Sequence, residues 1–322
     1  MGSEEEKEAE YHSKDFEWEE VREEVEKDPS LSHHSIPFTT ATSSTSNSYD
    51  DFFSEPWKSF HKRHSSGRFF KERRYLLKEF PELLSCGDFS KVLEVGCGNG
   101  STVLPILRGK QTAVVYACDC STKALEKARE MVDAVLGLSI KHRFHAFFCD
   151  FSVNGFPSWL FCDACQKTYP KRPDCLADVE VNNEASPSEL SSLQGAMCCI
   201  GGVDFVTLIF TLSAVPFQRM PPVITECISV LKPGGLLLFR DYGLYDMTML
   251  RFQPNKRVGF REYVRSDGTH SYFFSLDTVR ELFLGAGFIE LELEYCCVKS
   301  VNRRSGKDMR RVWVHAKFQK PI

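Results

Sequence analysis

The sequence predicts a doubly wound α/β fold, in which helices cover both faces of a mostly parallel sheet. Short apolar runs alternate with helical patterns such as STKALEKAREMVDAVL, and strands separated by helices pair in parallel. The chain has 322 residues, of which 42% are hydrophobic, so it can bury the core of one large domain. The predicted strands lie at 91–94, 113–119, 143–150, 203–215 and 236–243.

The first predicted strand opens into a loop with three glycines at alternate positions, Gly96, Gly98 and Gly100. Glycine allows a sharp turn there and lets a ligand approach the backbone. The spacing differs from the G-x-G-x-x-G of dinucleotide sites. The second strand ends in Asp119, where a carboxylate can accept both hydroxyls of a ribose. Together these features predict S-adenosylmethionine as the cofactor.

Asp150 follows the third predicted strand. Ligands of parallel sheets collect at the carboxyl ends of strands, where Asp150 can hold an adenine amino group. The alternative is a turn or helix-cap residue. Further along, the glycines of KPGG are expected to end the helix PPVITECISVLK before the fifth strand.

The N-terminal 48 residues are expected to be disordered. The first 28 carry thirteen acids and four bases, and residues 30–48 are mostly Ser and Thr, which cannot repay the entropy of ordering. Phe16, Trp18, Val21 and Val25 are loosely periodic, so a weak helix is the alternative.

Features of a secretory signal or a mitochondrial presequence are lacking in this acidic start, and no membrane-spanning run follows. We therefore expect a cytosolic or nuclear protein that contacts no membrane. Its thirteen cysteines are then reduced thiols.

Residues 49–90 form a basic segment that is expected to be helical. Between 57 and 78 it carries eight bases and one acid, with interleaved aromatics. Such a face suits phosphates and unstacked bases, although a solvated amphipathic helix explains it equally well. A second basic region spans 299–320. The predicted RNA-binding residues are Lys62, Arg63, Arg68, Lys71, Arg73, Arg74, Arg251, Arg303, Arg304, Arg310 and Arg311.

A long insertion at about 155–202 separates the third strand from the fourth. Four of its thiols, Cys162, Cys165, Cys175 and Cys198, are a weak candidate for a zinc site, with Cys199 beside the last. The spacing matches no strong zinc signature, so a flexible insertion with reduced thiols and no metal is the main expectation.

Several blocks of the sequence resemble one family, the enzymes that make 3-methylcytidine in transfer RNA. The resemblance covers nearly everything from about residue 52 onward. It rests most specifically on the basic segment, on FRDYG at 239–243 and on YVRSDG at 263–268. It also includes WKSFHKRHSSGRFFKERRYLLKEF, YACDCS, LIFTLSAV and RRVWVHAKFQKP.

The resemblance implies a class I, Rossmann-like methyltransferase domain at 91–322 with a seven-stranded, mostly parallel sheet. Residues 49–90 would then be an RNA-binding segment and a cofactor lid. His61 departs from the family, which usually has Tyr there. An imidazole can replace the phenol as a hydrogen-bond donor. The implied cofactor site comprises Trp57, His61, Gly96, Gly98, Gly100, Asp119, Asp150, Phe151 and Ile209.

The predicted chemistry follows from nitrogen 3 of cytosine, whose lone pair needs no strong general base. Asp241 is the candidate that stabilises the charge developing on the base. Arg240 and Tyr242 are candidates that orient it by hydrogen bonding or stacking. The alternative is structural, with Arg240 and Asp241 paired to each other and Tyr242 in the core.

Because nitrogen 3 lies on the pairing edge, the target must be unpaired or flipped out. The resemblance implies position 32 of the anticodon loop, and a partner such as an aminoacyl-tRNA synthetase. Two alternatives stay open. One is an S-adenosylmethionine-dependent methyltransferase of a small molecule or protein, and the other is a catalytically idle cofactor-binding scaffold for RNA or a synthetase.

Overall fold

The fold is built on one seven-stranded sheet that is covered by helices on both faces. The computed structural model describes residues 14–38, 54–64, 72–168, 198–301 and 308–322. Within them, no helix is long and apolar enough to cross a membrane.

Ten strands are present in the described residues. Seven form the central sheet, and three short ones, β6 to β8, form a small sheet beside it. The strands are β1 (Lys91–Val95), β2 (Val114–Asp119), β3 (Phe144–Phe148), β4 (Val203–Ile209), β5 (Leu231–Tyr242), β6 (Arg257–Gly259), β7 (Glu262–Val264), β8 (His270–Tyr272), β9 (Ile289–Val301) and β10 (Asp308–Gln319).

Ten α-helices and five short 3₁₀ turns connect these strands within the described parts of the chain. The α-helices are α1 (Trp18–Lys27), α2 (Glu55–Arg63), α3 (Leu76–Glu79), α4 (Glu82–Ser85), α5 (Val103–Gly109), α6 (Thr122–Leu136), α7 (Phe151–Asn154), α8 (Asp163–Thr168), α9 (Met220–Val230) and α10 (Leu276–Gly285). The 3₁₀ turns are Pro29–His34, Leu138–Arg143, Leu212–Ala214, Phe217–Arg219 and Pro254–Lys256.

The strand order of the central sheet is β3-β2-β1-β4-β5-β10-β9. The first five strands are parallel, and β10 and β9 add to β5 in antiparallel pairing. The predicted doubly wound α/β class is therefore confirmed. The order in which strands are added to the sheet reverses between β1 and β4, since β2 and β3 lie on one side of β1 and β4 and β5 on the other. Ligands of such sheets bind at this switch point.

Alternate residues of each strand face opposite sides of the sheet, as the two-residue period of a strand requires. Leu93 and Phe239 join the apolar cluster that includes residues of α9 and α10. Val92 and Leu238 join the cluster that includes residues of α3 and α5. The sheet is thus buried on both faces, which explains the nearly continuous apolar strands of the sequence.

The KPGG segment differs from the prediction. Helix α9 ends at Val230, and β5 begins at once at Leu231. Gly234 has φ +76°, and the pairing with β4 passes from Leu231 to Leu236 across a register shift. The glycines therefore form a bulge inside β5, since only a residue that tolerates positive φ permits this local turn.

The N-terminal segment corrects the expectation of disorder over residues 1–48, because residues 14–38 pack on the domain. Phe16, Val21 and Val25 are buried in one apolar cluster. Trp18 donates its indole N–H to Leu244 O at 3.0 Å and stacks on Tyr295 at 4.9 Å between ring centroids. The loose periodicity of the apolar residues was the signal for this helix, because one apolar face is enough to stabilise a helix that packs on a partner surface. The rest of the predicted tail lies outside the described residues.

The basic segment is less regular than predicted. Of its residues, α2, α3 and α4 are described as short helices, and 65–71 lie outside the described residues. Leu76 and Phe80 are fully buried against α5 and the sheet. The insertion is described at its two ends, through residue 168 and from residue 198. The first of these ends packs on the domain, because Leu160 and Phe161 are buried.

Candidate functional site

A cleft opens at the carboxyl ends of β1, β2 and β4, with α2 lying across it. The empty space in the cleft is about 770 Å³, a volume that includes open solvent at its mouth. The structure brings together here eight of the nine residues predicted to hold a cofactor, from five separate parts of the chain. They are Trp57, His61, Gly96, Gly98, Asp119, Asp150, Phe151 and Ile209.

The glycine loop forms the floor of the cleft. Gly96 has φ +68°, and a β-carbon on it would lie 2.6 Å from Thr211 Cγ2. Gly98 also has positive φ, and its N–H donates to Asp119 Oδ2 at 2.9 Å. Gly100 does not line the cleft. A β-carbon on Gly100 would lie 3.3 Å from Ala128 Cβ, so this third glycine serves the packing of the loop on α6.

Asp119 is held rigidly at the end of β2. Its second oxygen, Oδ1, accepts from Ser121 N at 2.9 Å, and only 4% of the residue is exposed. Burial raises the pKa of Asp119, while the nearby His61 and the two amide donors oppose that rise. The carboxylate is fixed by two backbone amides and keeps further lone pairs for hydroxyl donors such as a ribose diol.

Helix α2 supplies the wall opposite the glycine loop. Trp57 and His61 are four residues apart and therefore share one face of this helix. The Trp57 Nε1–H is buried and has no hydrogen-bond partner among the residues that the structure describes. Burial lowers the pKa of His61, and the charge of Asp119 opposes that shift. His61 thus lies over the glycine loop and near Asp119.

Asn99 is a site residue that the sequence analysis missed. It lines the cleft, only 4% of it is exposed, and within the described parts of the chain neither Oδ1 nor Nδ2 has a hydrogen-bond partner. Its position between Gly98 and Gly100 is the signal that could have identified it. Buried polar atoms without partners are costly in a folded protein. The amide of Asn99 and the indole N–H of Trp57 therefore suit a ligand with both donors and acceptors.

One end of the cleft is aromatic and cationic. Phe210, which was also missed, directly follows β4 with φ +56°. The Arg73 guanidinium lies 5.4 Å from its ring centroid, and the Tyr242 ring centroid is 5.1 Å away. Arg73 is held by a bond of 2.6 Å from Nη1 to Thr102 Oγ1. The Phe210 ring can stack with a planar ring at this end. Tyr242 packs against Phe210 but does not itself line the cleft.

The structure corrects the roles predicted for Arg240 and Asp241, because neither lines the cleft and neither is exposed. Arg240 forms an ion pair with Glu79, and its guanidinium lies 4.4 Å from the Trp313 ring centroid. A strand places successive side chains on opposite faces, so Arg240 and Asp241 also do not pair with each other. Arg240 is therefore an interior residue.

Asp241 connects the ends of two strands. Its Oδ2 accepts from Ser213 N at 2.9 Å, and its Oδ1 accepts from Tyr242 N at 2.8 Å. Burial raises the pKa of Asp241 to about 6. The carboxylate fixes the turn after β4 and the backbone of Tyr242, so it positions the aromatic end of the cleft.

Helix α2 rests on the turn formed by the YVRSDG block. Arg63 pairs with Asp267 at 3.2 Å, and a β-carbon on Gly268 would lie 3.3 Å from Pro56 Cγ. Lys62, next to Arg63, is exposed on the same helix. The family-specific block thus supports the helix that closes the cleft.

The predicted RNA-binding residues lie in different environments. Arg74 and Arg251 are surface residues, with Arg74 3.8 Å from Glu72. Arg310 is paired with Glu24 of α1, and Arg311 Nε donates to the buried Asp246 at 2.9 Å. These two are therefore engaged within the protein. Arg68, Lys71, Arg303 and Arg304 lie outside the described residues.

A cluster of thiols lies at the two described ends of the insertion. It comprises Cys162, Cys165, Cys198 and Cys199, whose sulfurs all lie within 4.8 Å of one another. Cys175, one of the four thiols predicted as a weak zinc candidate, lies outside the described residues. The fourth sulfur of the cluster belongs instead to Cys199, which sequence spacing did not single out.

Comparisons with known proteins agree with this site. Residues 69–292 match the family model described as a methyltransferase domain. The human tRNA N(3)-cytidine methyltransferase METTL6 is 36% identical over 269 residues, covering 82% of this chain and 79% of METTL6. The Drosophila melanogaster tRNA N(3)-methylcytidine methyltransferase Mettl2 is 34% identical over 274 residues, covering 83% and 71%.

Among solved structures, the chain is similar to the 1,6-didemethyltoxoflavin-N1-methyltransferase of Burkholderia thailandensis. The TM-score is 0.52 at 11% sequence identity, over 89% of this chain and all of that one. That enzyme was crystallised with 1,6-didemethyltoxoflavin and S-adenosylhomocysteine. At this identity the likeness supports the fold alone.

Proposed function

The chain belongs to the family of tRNA N(3)-cytidine methyltransferases, and from this membership we propose that it methylates nitrogen 3 of a cytidine in tRNA with S-adenosylmethionine as donor. One observation carries the proposal. The cleft gathers a fixed acid at the end of β2, a glycine loop, and unpartnered polar atoms of Asn99 and Trp57.

These residues fit the donor chemically. Asp119 would accept from the ribose hydroxyls, and Asn99 and the Trp57 indole would bond its remaining polar groups. Asp150, whose Oδ1 accepts from Ser152 Oγ at 2.8 Å, is the acceptor available for the adenine amine. S-adenosylmethionine, when bound there, supplies an electrophilic methyl group.

The protein's contribution to methyl transfer is chiefly positioning. The cytosine lone pair needs no base to activate it, and alignment can supply roughly 7 to 11 kcal/mol in favourable cases. The ring of Phe210, which packs against Tyr242, would provide an aromatic surface for the flipped base. Asp241 holds Tyr242 and Ser213 in place, so its effect on the base is indirect.

The proposed target is position 32 of the anticodon loop, where the base is accessible without opening a long duplex. Arg73, which lines the cleft, and the exposed Lys62 on α2 are cations available to bind such a loop. They would bind phosphate without reading sequence. Selection of the tRNA is therefore assigned to a partner, for which we propose an aminoacyl-tRNA synthetase, in the cytosol or nucleus.

The test is incubation of the full chain with labelled S-adenosylmethionine and unmodified tRNA, followed by digestion and identification of the nucleoside. We expect 3-methylcytidine in wild-type tRNA and none when cytidine 32 is replaced by uridine. Each reaction is run with and without the matching synthetase. Cofactor binding without 3-methylcytidine in either arm would contradict the proposal, and label on a protein or small molecule would favour that alternative substrate class.

A further inference from the structure

The thiol cluster of the insertion lies apart from the cleft and is not used by the proposed methyl transfer. Two of its residues, Cys162 and Cys165, belong to the start of the insertion, and the other two, Cys198 and Cys199, to its end. The four sulfurs come within 4.8 Å of one another although 32 residues separate the two pairs in sequence. Tertiary structure alone therefore assembles the cluster.

The backbone around the cluster is already organised. Ile200 N donates to Trp159 O at 2.8 Å, and Gly202 N donates to Leu160 O at 2.8 Å, so the two ends of the insertion run side by side. The side-chain Nε2 of Gln166 donates to Phe161 O at 2.9 Å. These bonds hold the cysteine pairs facing each other without help from the sulfurs.

The sulfur arrangement suits a tetrahedral metal ion. With zinc–sulfur bonds of about 2.3 Å, sulfurs at the corners of a tetrahedron lie about 3.8 Å apart. The distance between Cys165 Sγ and Cys198 Sγ is 3.1 Å, and the widest separation in the set is below 4.8 Å. Shifts of each sulfur by less than one ångström would therefore bring the four sulfurs to the corners of a regular tetrahedron.

The surroundings suit the charge of such a site. Cys165 and Cys199 are buried with Phe161, while Cys198 is exposed and gives an entry path. Gly201 N–H donates to Cys199 Sγ at 3.3 Å. Lys91 donates to Ile200 O at 2.7 Å, and Lys320 lies over the Phe161 ring at 5.5 Å. These groups offset the negative charge that four thiolates leave on a divalent cation.

We propose that Cys162, Cys165, Cys198 and Cys199 bind one structural zinc ion. The ion replaces the four thiol protons, which are released to solvent, and no electrons are transferred. A closed set of four sulfurs leaves no position for substrate, so the ion has no catalytic part. Its role is to clip the insertion at its base, which fixes the connection from α7 into β4.

The experiment is metal analysis of the full chain, purified without a metal-binding tag and without chelators. We expect about one zinc ion per chain. Cys162→Ser and Cys199→Ser should each lose it and unfold at a lower temperature. Cys175→Ser and Cys86→Ser are the matched controls and should keep both the zinc and the wild-type melting temperature.

Cobalt exchange gives a second measurement for variants that fold poorly. Refolding the wild-type chain with Co²⁺ should produce the absorption of tetrahedral cobalt thiolates, and titration should end at one ion. A wild-type chain that contains no metal, and in which two or four of the thirteen cysteines are not free thiols, would contain disulfides instead. This result would overturn the proposal. Iron with sulfide, or loss of zinc in Cys175→Ser with retention in Cys199→Ser, would also overturn it.

Discussion

Glu79 and Arg240 form an ion pair in the interior of the protein, where neither side chain is exposed. His315 Nδ1 lies 2.9 Å from the other oxygen of Glu79. Burial would raise the pKa of Glu79, but the charge of Arg240 and the two hydrogen-bonding neighbours outweigh it, so the pKa is lowered. The pair joins α3 to the junction of β5 and β10.

Removing the charge of Glu79 should leave Arg240 buried without its counter-ion. We expect Glu79→Gln to lower the free energy of unfolding by about 3 to 5 kcal/mol. Urea denaturation measures the effect. Glu126→Gln, which breaks the exposed pair with Lys123, is the control and should leave stability unchanged. Equal stability of the two variants would contradict the buried pair.

Asp241 is predicted to act by positioning. Asparagine offers one oxygen where the carboxylate offers two, so Asp241→Asn should leave one of the amides of Ser213 and Tyr242 without an acceptor. We expect kcat to fall at least about tenfold, equivalent to roughly 1.4 kcal/mol, while the Kd for S-adenosylmethionine stays within about twofold. Parallel loss of cofactor affinity would instead place Asp241 in the cofactor site.

Asn99 and Asp119 should both support cofactor affinity, but to different degrees. Loss of a neutral hydrogen bond in Asn99→Ala should weaken binding roughly three- to tenfold, and loss of a charged acceptor in Asp119→Asn roughly ten- to a hundredfold. Calorimetric titration with S-adenosylmethionine measures both. Because the Asn99 amide has no partner in the structure, Asn99→Ala should melt at the wild-type temperature without ligand. A lower melting temperature would assign Asn99 a structural role.

Glu94, at the end of β1, should make stability depend on pH. Burial raises its pKa to about 7 from an ordinary 4.5, although the hydroxyl of Thr207 donates to it. The folded protein therefore holds a proton that the unfolded chain releases, and stability falls as pH rises through this window. Glu94→Gln has no such proton, so its stability relative to wild type should increase by up to about 3 kcal/mol between pH 4.5 and 8.

Urea denaturation at pH 5 and pH 8 checks this, with Glu126→Gln as the control whose difference from wild type should not change. A stability difference for Glu94→Gln that is constant with pH would show that Glu94 ionises normally in the fold.

Lys62 should contribute to tRNA affinity more than Arg310. Lys62 is exposed on α2 beside the cleft, whereas Arg310 is paired with Glu24. Lys62→Gln should reduce the slope of log affinity against log salt concentration by about 0.7 to 1, the value for one phosphate contact. Arg310→Gln should leave the slope unchanged. Filter binding across a salt series separates them, and a reversed order would mean that the Glu24 pair opens when RNA binds.

Local sequence predicted the glycine loop and Asp119, and the family resemblance supplied other cleft residues, including Trp57, Phe151 and Ile209. Gly96, Gly98 and Asp119 each follow an apolar strand, and the ends of parallel strands necessarily meet at one edge of the sheet. The helical spacing of Trp57 and His61 likewise places them on one face. Phe210 was missed because an aromatic residue after a strand carries no specific pattern, and only its contact with Arg73 at the cleft distinguishes it. The one signal for Asn99 was its position between two glycines of the loop, and only its burial in the cleft shows that its amide belongs to the site.

The sequence by itself determined the fold class and the gathering of the glycine loop with Asp119, because both depend on periodicities and turns within short segments. Only the tertiary structure decided which charges and thiols are partnered. Arg240 is matched by Glu79, Arg310 by Glu24, and Cys165 by Cys198 and Cys199. The physical reason is that the partner of a charge or a thiol is set by how distant segments pack, and spacing along the chain does not encode that contact.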